Sequence, residues 1–223
     1  MSELPEVTTP PPYFPVLLDL RGRRCVVIGG GEVARRKVAA LCAAQADVTV
    51  VAPHVVAMPA GATVIRRAFL PTDLDDAMLV IAATDSAAVN AQIAAEAECR
   101  GIWVNVVDDP ARCSLIMPAV VQRGALRIAI STAGASPTLA RQLKDELEAT
   151  YGPEYGDLVQ LLWELRRAWE PEANAADIAF ARRREIWDAV LRLPLLDLLR
   201  GGQRAEAARL ARELLTQALA GTG

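Results

Sequence analysis

The chain has 223 residues, 52% of them hydrophobic and 23% charged, a balance that excludes global disorder. At roughly 150 residues per domain, this length holds one domain with an appendage or two small ones. With 24 basic against 27 acidic side chains, the net charge of −3 supplies no broad cationic field, and no nucleic-acid partner is expected.

The opening stretch MSELPEVTTPPPYFP is acidic and proline-rich and lacks the positive and apolar regions of a secretory signal, so it reads as a flexible lead-in. No run approaches the roughly 18 uninterrupted apolar residues that cross a bilayer, so no membrane partner is expected. Cys25, Cys42, Cys99 and Cys113 show no CxxC spacing and the chain has a single histidine. No metal site is expected, and the cysteines read as buried free thiols in a reducing cytoplasm.

The first informative segment is RRCVVIGGGEVARRKVAALCAAQADVTVVAP. A short apolar run meets three glycines, a helix-period pattern follows through Val33, Val38, Leu41 and Cys42, and a second β-branched run spans Asp47 to Val51. This is the length and order of a parallel βαβ crossover. Further strands are predicted at Thr63–Arg66, Leu79–Ala83 and Trp103–Val107, with a helix at Ala87–Arg100, so the first part is α/β with a parallel sheet.

After Pro110 the pattern changes. Apolar runs at Ser114–Gln122 and Leu126–Ser131, separated by Arg123 and Gly124, predict an antiparallel hairpin. A helix should follow, with Ser136 as N-cap, Pro137 in its first turn, Leu139, Leu143 and Leu147 along one stripe, and its end near Tyr151. From Pro153 onward, breaks at Pro171, Pro194 and Gly201-Gly202 predict three helices and no strand. The expected division is a Rossmann-type domain over 1–112, a hairpin-plus-helix region over 113–151 and an all-helical region over 152–223.

Gly29-Gly30-Gly31-Glu32-Val33-Ala34 fits G-x-G-x-x-G/A between a predicted strand and a predicted helix, the setting that gives this motif meaning. Gly29 permits the tight turn, Gly31 lets backbone approach a pyrophosphate, Ala34 permits close helix packing, and the helix start offers N–H groups to the anion. An ordinary ligand-free tight turn is the alternative. The acidic residue expected about twenty positions on, for a ribose hydroxyl, is replaced by Val51-Ala52-Pro53-His54, so spacing alone leaves NAD against NADP open. His54 could equally be a surface-loop histidine.

Ligands of open α/β sheets lie beyond the carboxyl ends of the strands, which brings Thr84-Asp85 and Asp108-Asp109 toward one crevice. Asp85-Ser86 also suits helix capping and Asp109-Pro110 suits turn initiation. Neither alternative accounts for Asp108, which is the candidate base.

These segments together resemble the precorrin-2 dehydrogenase family, the module that also forms the N-terminal part of siroheme synthases. The resemblance rests on FPVLLDLRGRRCVVIGGGEVARRKV, on AATD at Ala82–Asp85, on NVVDDP at Asn105–Pro110, on SLIMPAVV and on STAGASPTLARQLKDELE. It implies a Rossmann NAD domain, a small dimerisation region made by the hairpin and the helix after it, and a helical region that helps enclose a tetrapyrrole. Glu32 and Val33 fall where the family contacts cofactor phosphates, Pro53 and His54 on the adenosine side, and Thr84 near the cofactor. Asp108 matches the aspartate implicated in catalysis. The run Arg182-Arg183-Arg184-Glu185-Ile186-Trp187 is a looser match. No methyltransferase segment follows Gly223, so the expected form is the stand-alone one.

The expected activity is NAD-dependent oxidation of precorrin-2 to sirohydrochlorin in the synthesis of siroheme or a related modified tetrapyrrole. Insertion of Fe²⁺ by the same cavity is a second reading, and a non-catalytic NAD(H) sensor a third. A substrate with eight carboxylates calls for cations, for which Arg112, Arg123, Arg127, Arg141 and Lys144 are candidates. The exposed edges of a hairpin predict a homodimer with shared active sites.

Overall fold

The computed structural model describes residues 12–220; most of the expected lead-in lies outside them. Contacts divide the chain into two compact units, Met1–Met117 with Ala133–Ala135, and Pro118–Thr132 with Ser136–Gly223.

In the first unit, five strands form a parallel sheet in the order β3-β2-β1-β4-β5: β1 (Arg24–Ile28), β2 (Asp47–Val51), β3 (Ala62–Ile65), β4 (Leu79–Ala82) and β5 (Trp103–Val106). Helix α1 (Glu32–Ala43) joins β1 to β2, and α2 (Ala87–Arg100) joins β4 to β5. Alternating side chains send Cys25 and Val27 into a core with Ala34, Val38 and Leu41 of α1, while Val26 and Ile28 enter a second core with Ile93, Ala94 and Ala97 of α2. Both faces of the sheet are covered, which explains why its strands read as continuous apolar runs.

The strand ends differ from expectation by a residue or so, as terminal pairing gives way to loop bonds. Helix α2 has the predicted bounds because both ends are specified. Ser86 accepts from the N–H of Val89, and Gly101 follows in the left-handed conformation, φ +67°.

In the second unit, β6 (Ala119–Arg123) pairs antiparallel with β7 (Leu126–Ile130). The first arm is shorter than predicted because Ser114 and Leu115 bond to Val104, leaving Ala119 to open the pair. The turn sits one residue later, at Gly124-Ala125, because Arg123 is itself paired with Leu126. Helix α3 (Pro137–Thr150) starts as predicted, with Ser136 Oγ accepting from the N–H of Leu139. Its leucine stripe is only partly covered: Leu143 and Leu147 are half-buried and Leu139 is exposed.

Four helices follow rather than three: α4 (Glu154–Ala175), α5 (Phe180–Leu191), α6 (Leu195–Arg200) and α7 (Arg204–Ala220). Pro171 does not end α4. It is exposed, so the carbonyl it fails to bond faces solvent, while Trp169 and Ala173 on either side are buried and hold the last turn down. The helix stops instead near Asp177, φ +50°, where Arg183 donates to the carbonyls of Ala173 and Ile178 and to Asn174 Oδ1. Among the described residues, no helix is long and apolar enough to cross a membrane.

Candidate functional site

Four strand ends of the first unit converge on one cavity of about 840 Å³, lined by the glycine turn after β1, by residues 51–56 at and after the end of β2, by Thr84-Asp85-Ser86 after β4 and by Asp108 after β5. Gly29, Gly31, Glu32, Val33, Pro53, His54, Thr84, Asp85 and Asp108 all line it. Ala34 does not. It is fully buried in the core beneath the turn, where its small side chain allows α1 to lie against β1.

The three glycines do different work. Gly29 has φ +131°, and a Cβ there would stand 2.2 Å from the carbonyl oxygen of Ala83. A Cβ on Gly30 would stand 1.9 Å from the carbonyl oxygen of His54, so Gly30 permits the segment after β2 to close over the turn. The sequence reading gave Gly30 no role, because the residue it meets lies 24 positions away in the chain.

A Cβ on Gly31 would meet nothing within 4 Å, and no side chain caps the start of α1. Open space above the N-terminus of a twelve-residue helix, bordered by glycine, fits the pyrophosphate of a dinucleotide. Glu32, which shares that first turn, is ion-paired with Arg35 at 2.7 Å. Pro53 and His54 are exposed at the mouth, and no carboxylate occupies residues 51–56, where an adenosine ribose would be met.

Asn90 was missed in the sequence, where it looks like one polar residue among alanines. It is buried on the first turns of α2, and its carboxamide holds Thr84 through the main-chain N–H at 3.3 Å, the hydroxyl at 2.7 Å and the carbonyl at 3.0 Å. Ser86, not Asp85, caps α2, which leaves the exposed Asp85 carboxylate at the cavity.

Asp108 is exposed and has φ +59°, a left-handed conformation unusual for a residue other than glycine. Behind it, burial pushes the Lys37 ammonium of α1 below the usual lysine range. Arg36 acts in the same direction, while Cys113 and Asp108 oppose them. Burial likewise raises the Cys113 thiol, so it is a protonated S–H at neutral pH.

Four of the five candidate cations, Arg112, Arg123, Arg127 and Lys144, are engaged locally. Arg112 pairs with Asp109 in the first unit. In the second, Arg123 donates to the carbonyls of Tyr151 at 2.8 Å and Glu148 at 3.1 Å, and Arg127 donates to the carbonyl of Gly124. Arg141 is exposed on α3, and Lys144 pairs with Glu148 at 2.9 Å. All four cysteines are unpaired, but only Cys25 is fully buried; Cys99 is exposed because the outer face of α2 carries it away from the sheet. Among the described residues, no cluster of three or more His, Cys, Asp or Glu could hold a metal ion.

Residues 16–119 match the family model described as putative NAD(P)-binding, and residues 123–150 match that of the sirohaem biosynthesis protein central region. The chain is 40% identical over 212 residues to a siroheme synthase of Pseudomonas entomophila, covering 91% of this chain and 44% of that one. It is 40% identical over 216 residues to a siroheme synthase of Methylobacillus flagellatus, covering 94% and 44%. It thus spans a little under half the length of the curated relatives it matches. Among solved structures, SirC, a precorrin-2 dehydrogenase, superposes with a TM-score of 0.68 at 28% identity, over 92% of this chain and 98% of that one. The chain is thus similar nearly end to end to SirC in fold, and in sequence to the part of the siroheme synthases that it spans, and it carries the putative NAD(P)-binding and sirohaem-biosynthesis central models in that order.

Proposed function

We propose that this chain oxidises precorrin-2 to sirohydrochlorin with NAD⁺. The observation that carries the reading is the presence of Asp108 on the same cavity as the Gly29–Gly31 turn, which puts a free carboxylate within the space that admits a dinucleotide. The name of SirC and the siroheme synthase relatives supply the substrate class.

In this reading the turn Gly31-Glu32-Val33 receives the cofactor phosphates, Pro53 and His54 border the adenosine, and Thr84 and Asp85 flank the remainder. Bound NAD⁺ supplies a hydride acceptor. The chain's own contributions are orientation and proton handling. As the macrocycle gives up a hydride it must also lose a proton, and Asp108 Oδ is the acceptor or fixes the ring through an N–H. Arg112, Arg123, Arg127 and Arg141 are proposed for the substrate carboxylates, with the present partners of Arg112, Arg123 and Arg127 exchanged for substrate. The hairpin and α3 form the dimerisation region, and the homodimer shares its active sites. The open hairpin edges and the exposed Leu139 support this assembly. Four unpaired thiols suit a cytoplasmic setting.

The test is anaerobic absorbance of precorrin-2 with the protein and NAD⁺. Sirohydrochlorin should appear with matching NADH, and Asp108→Ala should lower turnover by about a hundredfold or more while calorimetric NAD⁺ binding stays intact. If the wild type forms no sirohydrochlorin but binds NAD(H), a sensor role replaces the enzymatic one. The siroheme synthase names favour one addition, Fe²⁺ insertion into the product with Asp108 taking pyrrole protons. Metal added to the same cuvette should then be incorporated faster than in buffer.

A further inference from the structure

The end of β5 is built in an unusual way. As the last strand of the sheet, it bonds to β4 on one side only, and its outward N–H groups at Val104 and Val106 face no further strand. Two consecutive side chains answer them. Ser114 Oγ accepts from the N–H of Val104 at 2.8 Å, and Cys113 Sγ accepts from the N–H of Val106 at 3.1 Å.

The thiol does more than close the edge. Its sulfur also stands 3.3 Å from the carbonyl oxygens of both Val106 and Asp109, to either of which the S–H can donate, and 3.6 Å from Nδ2 of Asn105. One sulfur therefore spans the segment 106–109 from start to end. The residue held between those anchors is Asp108, in its left-handed conformation. Such a backbone is kept only where its surroundings over-determine it, and here the Cys113 sulfur adds its contacts at both ends of the loop to the main-chain bonds from Asp109 to Val106 and from Val107 to Ala82.

We propose that Cys113 is a positioning residue for the reaction: its thiol clamps the 106–109 loop so that the Asp108 carboxylate is held at the cavity. The proposal rests on the role assigned to Asp108 above. Cys113 is not among the residues that line the cavity. A methyl in place of the thiol takes away the acceptor of the Val106 N–H and leaves the Asp109 carbonyl with the Arg112 N–H but without the sulfur. A hydroxyl keeps the donor and acceptor but, with a C–O bond shorter than C–S, at reduced reach.

The experiment compares Cys113→Ala, Cys113→Ser, Asp108→Ala and the Cys113→Ala/Asp108→Ala double variant in anaerobic turnover, with amide hydrogen exchange at Val106 measured in parallel. Cys113→Ala should lower kcat by roughly ten- to a hundredfold, with the KM for NAD⁺ within about twofold of wild type. Cys113→Ser should recover part of that loss. In the Asp108→Ala background, Cys113→Ala should have no further effect, because the clamp acts only through that carboxylate. Exchange at Val106 should quicken in the alanine variant and slow again in the serine one. The proposal is overturned if Cys113→Ala keeps kcat, or if its effect multiplies with that of Asp108→Ala. If the wild type itself does not turn over, the functional reading fails separately, and the clamp is then judged on exchange: protection at Val106 unchanged in Cys113→Ala overturns it.

Discussion

Asn90 grips Thr84 through three hydrogen bonds, its Oδ1 accepting from both the hydroxyl and the main-chain N–H while its Nδ2 donates to the carbonyl. A buried side chain on α2 thereby sets the loop after β4 that lines the cavity. Asn90→Ala strips Thr84 of these partners, and NAD⁺ binding measured by calorimetry should weaken by about tenfold, the equivalent of roughly 1.4 kcal/mol. Asn90→Asp, which keeps only the acceptor, should fall between the two.

The glycine turn separates space needed by the protein from space left for a ligand. Gly30→Ala drives a Cβ into the carbonyl of His54, and urea unfolding should show a loss of about 3 kcal/mol. Gly31→Ala meets nothing in the protein and should cost no more than about 1 kcal/mol of stability. Its effect should fall on NAD⁺ affinity instead, since the new methyl enters the space assigned to the pyrophosphate. Equal loss of stability in both variants would contradict this division.

Asp73 is buried beside Arg67, which donates to it at 2.5 and 2.8 Å, and it also accepts from the N–H of Leu70 at 2.8 Å. The hydrogen bonds from Arg67 hold its carboxyl below the ordinary aspartate range. Because the folded value lies below the unfolded one, the contribution is complete above the unfolded pKa of about 4 and is lost as the pH falls through the folded value. Asp73→Asn should cost about 1–3 kcal/mol at neutral pH, and thermal melts across the acid range should show a shallower decline in the variant than in wild type.

The thiols should differ sharply in reactivity. Burial raises Cys25 to about 11, with Asp47 adding to the effect, whereas Cys99 is exposed on α2. A thiol-exchange reagent at mild alkaline pH should modify Cys99 within the native protein and Cys25 only after unfolding. Peptide mapping of the labelled protein at early times separates the two.

What could be read from the sequence was whatever is written locally. The β-branched runs, the Ser86 and Ser136 caps and Gly101 specify the sheet strands and the starts and ends of α2 and α3 within a few neighbouring residues. The strand-end rule likewise brings Thr84, Asp85 and Asp108 to one cavity without coordinates. What escaped depends on partners distant in the chain. Pro171 reads as a stop, yet burial of Trp169 and Ala173 carries the helix past it. Gly30 looks redundant until His54 arrives, and Asn90 and Cys113 show no motif because each serves the main chain of another segment.

The close approach of the hairpin turn to α4 bears on how the second unit melts. A Cβ on Gly156 would stand 2.9 Å from the carbonyl carbon of Arg123 and 3.0 Å from the N of Gly124, so the turn rests directly on the first turn of the helix. Arg123 reaches from the same turn to the end of α3 at Tyr151. A hairpin alone is marginal in water, and this one borrows its stability from the helices it touches. The hairpin, α3 and the helical region therefore form one cooperative unit, and cutting the chain after Tyr151 would release a fragment whose strands have lost the surface that keeps them paired.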